Sequence, residues 1–149
     1  MGDTPRVHIQ NRQRGLRIDA RAVLALAARV LAAESAGDGR VGVVFVRDRA
    51  IAELNARFLG RPGPTDVIAF PTDPTGWPAG EPVWLGEVVV SVDRAREQAR
   101  ERGLRVREEL HRLVVHGILH LCGYRDSTPR GRDRMRRRED RYLRPPGRR

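Results

Sequence analysis

The stretch VREELHRLVVHGILHLCGYRD, residues 106–126, combines a long helical pattern with two histidines and a final aspartate. The pattern predicts one long helix ending at Gly123, because glycine readily adopts the left-handed conformation that terminates helices. His116 and His120 are four residues apart and therefore lie on the same face of this helix. We expect the turn after the glycine to carry Asp126 back over the two histidines.

Two imidazoles and one carboxylate are ligands that zinc accepts, and three protein ligands leave a fourth position for water. A bound zinc ion lowers the pKa of such a water to about 7. The spacing therefore predicts one zinc ion per chain, held by His116, His120 and Asp126. The alternative is a pair of packed or hydrogen-bonded core histidines on an apolar helix.

The residues next to the two histidines help to distinguish between classes of metal-binding protein. Metalloproteases place a glutamate directly after the first histidine, where it acts as a general base, but this chain has Gly117 there. The sequence therefore argues against a peptidase. His111 lies about 140° around the helix from His116, so we expect it at the surface or in a supporting role. Cys122 is interpreted as a small buried thiol rather than a ligand.

The predicted order along the whole chain is strand, helix, strand, helix, two strands, then three helices. Short apolar runs predict strands at residues 6–11, 41–46, 65–70 and 84–91. Helical spacing predicts helices at residues 18–35, 48–59, 92–104 and 128–143. Asp48 is expected to be the N-cap of the second helix. The prediction is a single α+β domain over residues 1–143, with a small mixed sheet of about four strands covered by helices. Residues 144–149 are expected to form a disordered basic tail.

Composition limits the class of protein. The chain has 149 residues, of which 40% are hydrophobic and 32% charged, which is typical of a globular domain. No apolar run approaches the roughly 18 residues that span a bilayer, so no membrane association is expected. The single cysteine excludes an internal disulfide and favours a reducing, cytoplasmic location.

The charge is strongly positive and uneven. The formal net charge is +10, and all 29 basic residues are arginine. Residues 125–149 hold eleven arginines against four acidic residues. Such a charge run is often a solvated surface, but an excess of this size favours a polyanionic partner, above all nucleic acid.

Several segments, in order along the chain, resemble the YbeY family of bacterial endoribonucleases, also described as ribosomal RNA maturation factors. They are LNARF (54–58), PTDVIAFP (64–71), LGEVVVSVDRAREQA (85–99), HRLVVHGILHLCGYRD (111–126), and the pair Met135 and Glu139. The resemblance implies a single-domain α+β fold with zinc on the three ligands named above. It also implies processing of ribosomal RNA precursors near the 3′ end of small-subunit RNA, a role in ribosome quality control, and association with ribosomal proteins.

The chain departs from the family pattern at two positions. The family motif usually ends Gly-Tyr-Asp-His, whereas this chain has Arg125 followed by Asp126, which we retain as the third ligand. The family commonly carries an arginine, implicated in activity, where this chain has Leu59. Arg57 and Arg61 lie close by in sequence and are the candidate substrate-binding residues. The sequence assigns no catalytic residue.

Two functions of different classes follow. The leading hypothesis is a zinc-dependent endoribonuclease acting on ribosomal RNA precursors. The rival is a non-catalytic ribosome assembly or RNA-binding protein with a structural metal, and Leu59 together with the missing glutamate favours it. A third hypothesis is a metal hydrolase that acts on a small substrate, but the basic tail disfavours it.

Overall fold

The computed structural model describes residues 6–34 and 39–144. In chain order the elements are β1 (Val7–Asn11), α1 (Ala20–Glu34), β2 (Arg40–Val46), α2 (Asp48–Leu59), β3 (Val67–Pro71), β4 (Trp84–Ser91), α3 (Val92–Arg102), α4 (Val106–Leu121) and α5 (Pro129–Leu143). This order confirms the predicted α+β fold. The expected basic tail, Arg144 apart, lies outside the described residues. Within the described ranges no helix combines the length and the apolar character needed to cross a bilayer.

The four strands form one mixed sheet in the order β1-β2-β4-β3. β1, β2 and β4 are parallel neighbours, whereas β3 runs antiparallel to β4 at one edge. β2 and β4 lie inside the sheet, and the buried residues 41–46 of β2 and 88–91 of β4 include their β-branched runs. α4 packs against β3 and β4, so the histidine segment lies beside the antiparallel edge.

Each face of the sheet has its own apolar cluster. The larger cluster joins one face to α1, α3, α4 and α5, and includes the fully buried residues Phe45, Val88 and Ile118. The smaller cluster lies between the other face and α2, around Ile51 and Val89. Burial of these apolar side chains is the main stabilising contribution to the fold.

Gly117 sets how closely α4 approaches the sheet. A Cβ at this position would lie 2.3 Å from Cγ1 of Val88 on β4, so a larger side chain would displace the helix. The glutamate that metalloproteases use here has no room in this fold. The close approach also fixes His116, the preceding residue, at the border between core and surface.

The start of α2 differs from the prediction. The N-cap is Arg47, which makes no side-chain cap hydrogen bond, and Asp48 is the first helical residue. The backbone N–H of Asp48 donates instead to the carboxylate of Asp93 on α3, at 2.8 Å. The Asp48 carboxylate accepts from the hydroxyl of Ser91 at 2.7 Å. The predicted N-cap is wrong because the cap is supplied by a helix that is distant in sequence.

Candidate metal centre

The end of α4 forms the turn on which the centre depends. Gly123 has φ 100°, in the region that favours glycine. Its N–H donates to the carbonyl of His120, and the N–H of Tyr124 donates to the carbonyl of Leu119, both at 3.0 Å. These two bonds are the pair that closes a glycine-terminated helix. The predicted end of the helix at Gly123 is confirmed, and the chain reverses direction there.

The turn after α4 is held by contacts on both sides. The hydroxyl of Tyr124 donates to the carboxylate of Glu34 at the end of α1, at 2.7 Å. The guanidinium of Arg134 lies 5.1 Å from the centre of the Tyr124 ring. Arg132 donates to the backbone carbonyl of Asp126 at 3.3 Å. α1 and α5 together therefore position the loop that carries Asp126.

The three predicted ligands come together. Nε2 of His116 lies 3.1 Å from Nε2 of His120. Oδ2 of Asp126 lies 3.5 Å from the first of these nitrogens and 3.4 Å from the second. A tetrahedral zinc ion with bonds of about 2.0–2.1 Å would separate its ligand atoms by about 3.3 Å. The donor atoms thus fit zinc in both chemistry and spacing.

Glu139 orients one of the imidazoles. Its carboxylate lies 2.7 Å from Nδ1 of His116, and because a carboxylate only accepts, this nitrogen carries the proton. The other oxygen of Glu139 accepts from Arg112 at 3.1 Å. Nε2 of His116 therefore keeps its lone pair for a metal ion, an arrangement common among zinc-binding histidines.

The same contacts determine the proton affinity of His116. Burial favours the neutral ring and would lower the pKa of His116. The hydrogen bond and charge of Glu139, together with nearby carboxylates, outweigh burial and raise that pKa above its ordinary value. The carboxylates of Glu139, Asp126 and Asp66 thus lie close enough to His116 to favour positive charge at this position.

Sequence reasoning gave Glu139 no role, although a signal was present. Met135, Glu139 and Tyr142 are the buried residues of α5 and lie at spacings of four and three. A carboxylate in the buried stripe of a helix must have a partner, because an unpaired buried charge is very costly. The partner could not be identified without the packing of α5 on α4.

Asp66 is a second residue that was missing from the predicted site. One of its carboxylate oxygens accepts from the backbone N–H of Val67 at 2.7 Å, at the start of β3. The other accepts from the side-chain amide of Gln98 at 3.1 Å. Asp66 also faces the clefts beside the cluster, and no local pattern in the sequence distinguishes it from an ordinary turn residue.

Two clefts meet at the cluster. The β3 cleft, of about 640 Å³, lies between the end of α2, β3 and α4; among its lining residues are Asn55, Leu59, Arg61, Thr65 and His120. The α5 cleft, of about 470 Å³, lies between α3, α4 and α5; among its lining residues are Arg102, Glu109, Arg112, Arg132 and Arg136. Both clefts are lined by Asp66, His116 and Asp126. A ligand bound at the cluster can therefore extend in two directions.

The two candidate arginines lie in different places. Arg61 lines the β3 cleft beside Leu59, whose side chain is 47% exposed. Arg57 lies with its guanidinium 5.4 Å from the centre of the Phe58 ring and lines a separate hollow with Phe70. The structure brings Arg61 towards the metal ligands and does not bring Arg57 there.

The remaining polar groups of α4 lie outside the centre. His111 lines a hollow with Asp19 and Arg107, and burial together with the arginine lowers the pKa of His111. Cys122 is partly buried against the larger apolar cluster, and burial raises the pKa of its thiol to about 11. Cys122 is thus half-buried rather than fully buried, and a thiol with a raised pKa stays protonated, which disfavours it as a metal ligand.

Comparisons with known proteins agree on one family. The family model described as Endoribonuclease YbeY matches residues 8–146. A Syntrophus aciditrophicus (strain SB) protein with that name is 35% identical over 118 residues, 79% of this chain and 74% of the relative. An Anaeromyxobacter sp. (strain Fw109-5) protein with the same name is 38% identical over 128 residues, 86% of this chain and 65% of the relative. The solution structure of TM1509 from Thermotoga maritima has a TM-score of 0.64 at 26% identity, covering 96% of this chain and 99% of that one.

Proposed function

Because the chain belongs to the YbeY endoribonuclease family, we propose that it is a zinc-dependent endoribonuclease. The observation that carries this proposal is the spacing of 3.1–3.5 Å among the donor atoms of His116, His120 and Asp126. The substrates would be ribosomal RNA precursors, cut near the 3′ end of small-subunit RNA. The setting would be the cytoplasm, with ribosomal proteins as partners and a role in ribosome quality control.

The chain's own residues have distinct roles in this proposal. His116, His120 and Asp126 would hold the ion, which when bound supplies Lewis acidity and a water of lowered pKa. Glu139 keeps the proton on Nδ1 of His116, so that Nε2 remains a ligand. Arg61 in the β3 cleft would bind oxygens of the scissile phosphate through its planar guanidinium fork.

The charge of the chain supports an RNA substrate. A formal net charge of +10 attracts a polyanion and speeds its association with the protein. Binding through phosphates depends steeply on salt and does not depend on base sequence. Only 5% of the residues are aromatic, which leaves little surface for base stacking. The preference for a particular precursor would then come from the ribosomal partners.

The test is cleavage of a single-stranded RNA that spans the 3′ end of small-subunit RNA. Zinc-loaded wild type is compared with His116→Ala and His120→Ala, and His111→Ala serves as the control on the same helix. We expect cleavage by wild type and by the control, and none by the two ligand variants. Equal cleavage by all four proteins would refute the proposal.

The rival function, an RNA-binding assembly protein with a structural metal, is favoured by one observation. Leu59 lines the β3 cleft where the family commonly carries an arginine, so this position supplies no cation to the cleft. RNA affinity and turnover separate the two functions. Tight binding of the RNA by wild type, without cleavage in zinc, manganese or magnesium, would establish the rival.

A further inference from the structure

Among the arginines of α5 are two pairs that lie on different sides of the helix. Arg132 and Arg136 are four residues apart and both line the α5 cleft. Arg137 and Arg141 are also four apart, are exposed, and line neither the α5 cleft nor the β3 cleft. Because residues four apart share a helix face, each pair forms one stripe of positive charge. The two stripes carry equal charge on the same helix, and only one of them faces the metal centre.

The cleft-facing arginines have no anionic partner. Within residues 6–34 and 39–144, Arg136 makes no hydrogen bond and no ion pair. Arg132 donates only to the backbone carbonyl of Asp126, at 3.3 Å, and contacts no carboxylate of the described chain. A guanidinium offers five donors in a planar fork, so both side chains keep most of their capacity to bind an anion.

The other arginines of the α5 cleft are already paired with carboxylates. Glu109, with 1% of its side chain exposed, accepts from Arg102 at 3.2 Å. Arg112 is shared between Glu139 at 3.1 Å and Asp140 at 2.9 Å. Because two carboxylates share Arg112, these paired groups carry a formal charge of −1. Among the residues that the structure describes, the guanidiniums of the cleft that have no carboxylate partner are those of Arg132 and Arg136, on the α5 side.

The position of the cleft suits a polymer. His116, Asp66 and Asp126 line both clefts, so a strand that passes over the metal ligands has one cleft on each side. Arg61 lies on the β3 side of this path, and Arg132 and Arg136 lie on the other side. A polymer with one phosphate per residue is a ligand that matches cations on both sides of the cleavage site.

We propose that the α5 cleft is a second phosphate-binding subsite, in which Arg132 and Arg136 each bind one of two successive backbone phosphates beside the scissile bond. This proposal rests on the proposed function, because it takes the strand to be RNA cleaved at the cluster. The two guanidiniums donate hydrogen bonds to phosphate oxygens and make no contact with base edges. The subsite positions the strand on the enzyme and adds no sequence preference.

The experiment compares two double variants of the same charge. Arg132→Gln with Arg136→Gln removes the cleft-facing stripe, and Arg137→Gln with Arg141→Gln removes the outer stripe. The affinity for a 2′-O-methyl single-stranded RNA, chosen to resist cleavage, is measured by fluorescence anisotropy over a range of salt concentrations. The salt slope is the steepness with which the logarithm of the binding constant falls as the logarithm of the salt concentration rises. For single strands this slope decreases by about 0.7 for each phosphate that the protein no longer neutralises. The slope of the cleft-facing variant should therefore decrease by about 1.4. The slope of the outer variant should fall much less.

Arg136→Gln alone is the second test, because this side chain has no described partner whose position it could disturb. It should keep the wild-type zinc content, lower the salt slope by about 0.7, and raise KM for a cleavable RNA while kcat stays unchanged. Equal slopes for the two double variants, or an unchanged slope for Arg136→Gln, would overturn the subsite. Failure of wild type to cleave any RNA would refute the proposed function instead, since the affinity comparison needs no turnover.

Discussion

Glu139 illustrates how one buried acid prepares a ligand that is distant in sequence. It lies 23 residues from His116, yet its carboxylate fixes the proton on Nδ1 and is itself held by Arg112. The acid is only 7% exposed, so water competes weakly for its hydrogen bonds. The position of the lone pair on His116 is thus determined by α5 rather than by the histidine motif.

Glu139→Gln should weaken zinc binding. The amide removes the negative charge that supports His116, and loss of such a supporting group typically costs about 10–100-fold in metal affinity. The affinity is measured by competition with a chromogenic chelator. Asp133→Asn, on the same helix but paired only with Arg137 at the surface, is the control. Unchanged affinity in Glu139→Gln would contradict the role given to this residue.

His111 should make the stability of the protein depend on pH. Burial, and then the charge of Arg107, lower the pKa of His111 below its ordinary value of 6.5. Below pH 6.5 the unfolded chain therefore binds this proton more readily than the folded protein, and the free energy of unfolding falls as the pH is lowered. His111→Gln should reduce this fall between pH 7 and pH 5, as measured by urea unfolding. If the free energy of unfolding fell equally in wild type and variant, the lowered pKa assigned to His111 would be contradicted.

Leu59→Arg should increase RNA cleavage. The substitution returns a guanidinium to the β3 cleft at the position where the family commonly carries one, and a donor that stabilises the charge of a transition state is worth about 100-fold in rate. Leu24→Arg, at an exposed leucine of α1, adds the same charge away from both clefts and should change little. Equal rates in the two variants would show that this position is not part of the reaction site.

At the scale of elements, the end of α4 links stability to metal binding. Gly123→Ala should cost about 1 kcal/mol of stability, because alanine is strained at positive φ. It should also weaken zinc binding, because the turn positions Asp126. Gly103→Ala, at the left-handed end of α3, should show a similar cost in urea unfolding without a loss of zinc affinity. Equal zinc affinity in the two variants would show that the turn at Gly123 does not position the metal ligand Asp126.

The elements themselves were largely predictable from local patterns. The strand at residues 84–91 has the predicted bounds, and α3 ends at Arg102, with Gly103 as its C-cap, close to the predicted bound at residue 104. β-branched runs and glycine stops act through neighbouring residues, so a linear reading detects them. The cap of α2 could not be found in this way, because it comes from Asp93 on another helix.

The same distinction explains how much of the site was predictable. The spacing of His116 and His120, and the turn towards Asp126, are local consequences of one helix and its end. The contacts of Glu139 and of Asp66 depend on how α5 and β3 pack against other elements. These side chains carry no local signature beyond a charge in a partly apolar setting, so only the tertiary structure assigns them to the site.

At the scale of the molecule, the fold places one small anionic centre in a strongly basic protein. The carboxylates at the centre attract a cation, whereas the net charge of +10 attracts a polyanion. The sheet edge at β3 and the packing of α5 leave a cleft on each side of the ligands. This separation of charge suits a metal-dependent reaction on a nucleic acid strand.

X-ray absorption spectroscopy at the zinc edge tests the metal site most directly. The zinc-loaded wild type should show only nitrogen and oxygen neighbours at about 2.0–2.1 Å, with the outer-shell pattern of two imidazoles. Asp126→Ala should lose one of these neighbours or bind zinc more weakly. A sulfur neighbour at about 2.3 Å, which would indicate Cys122, or a spectrum unchanged by Asp126→Ala would contradict the His116, His120 and Asp126 centre.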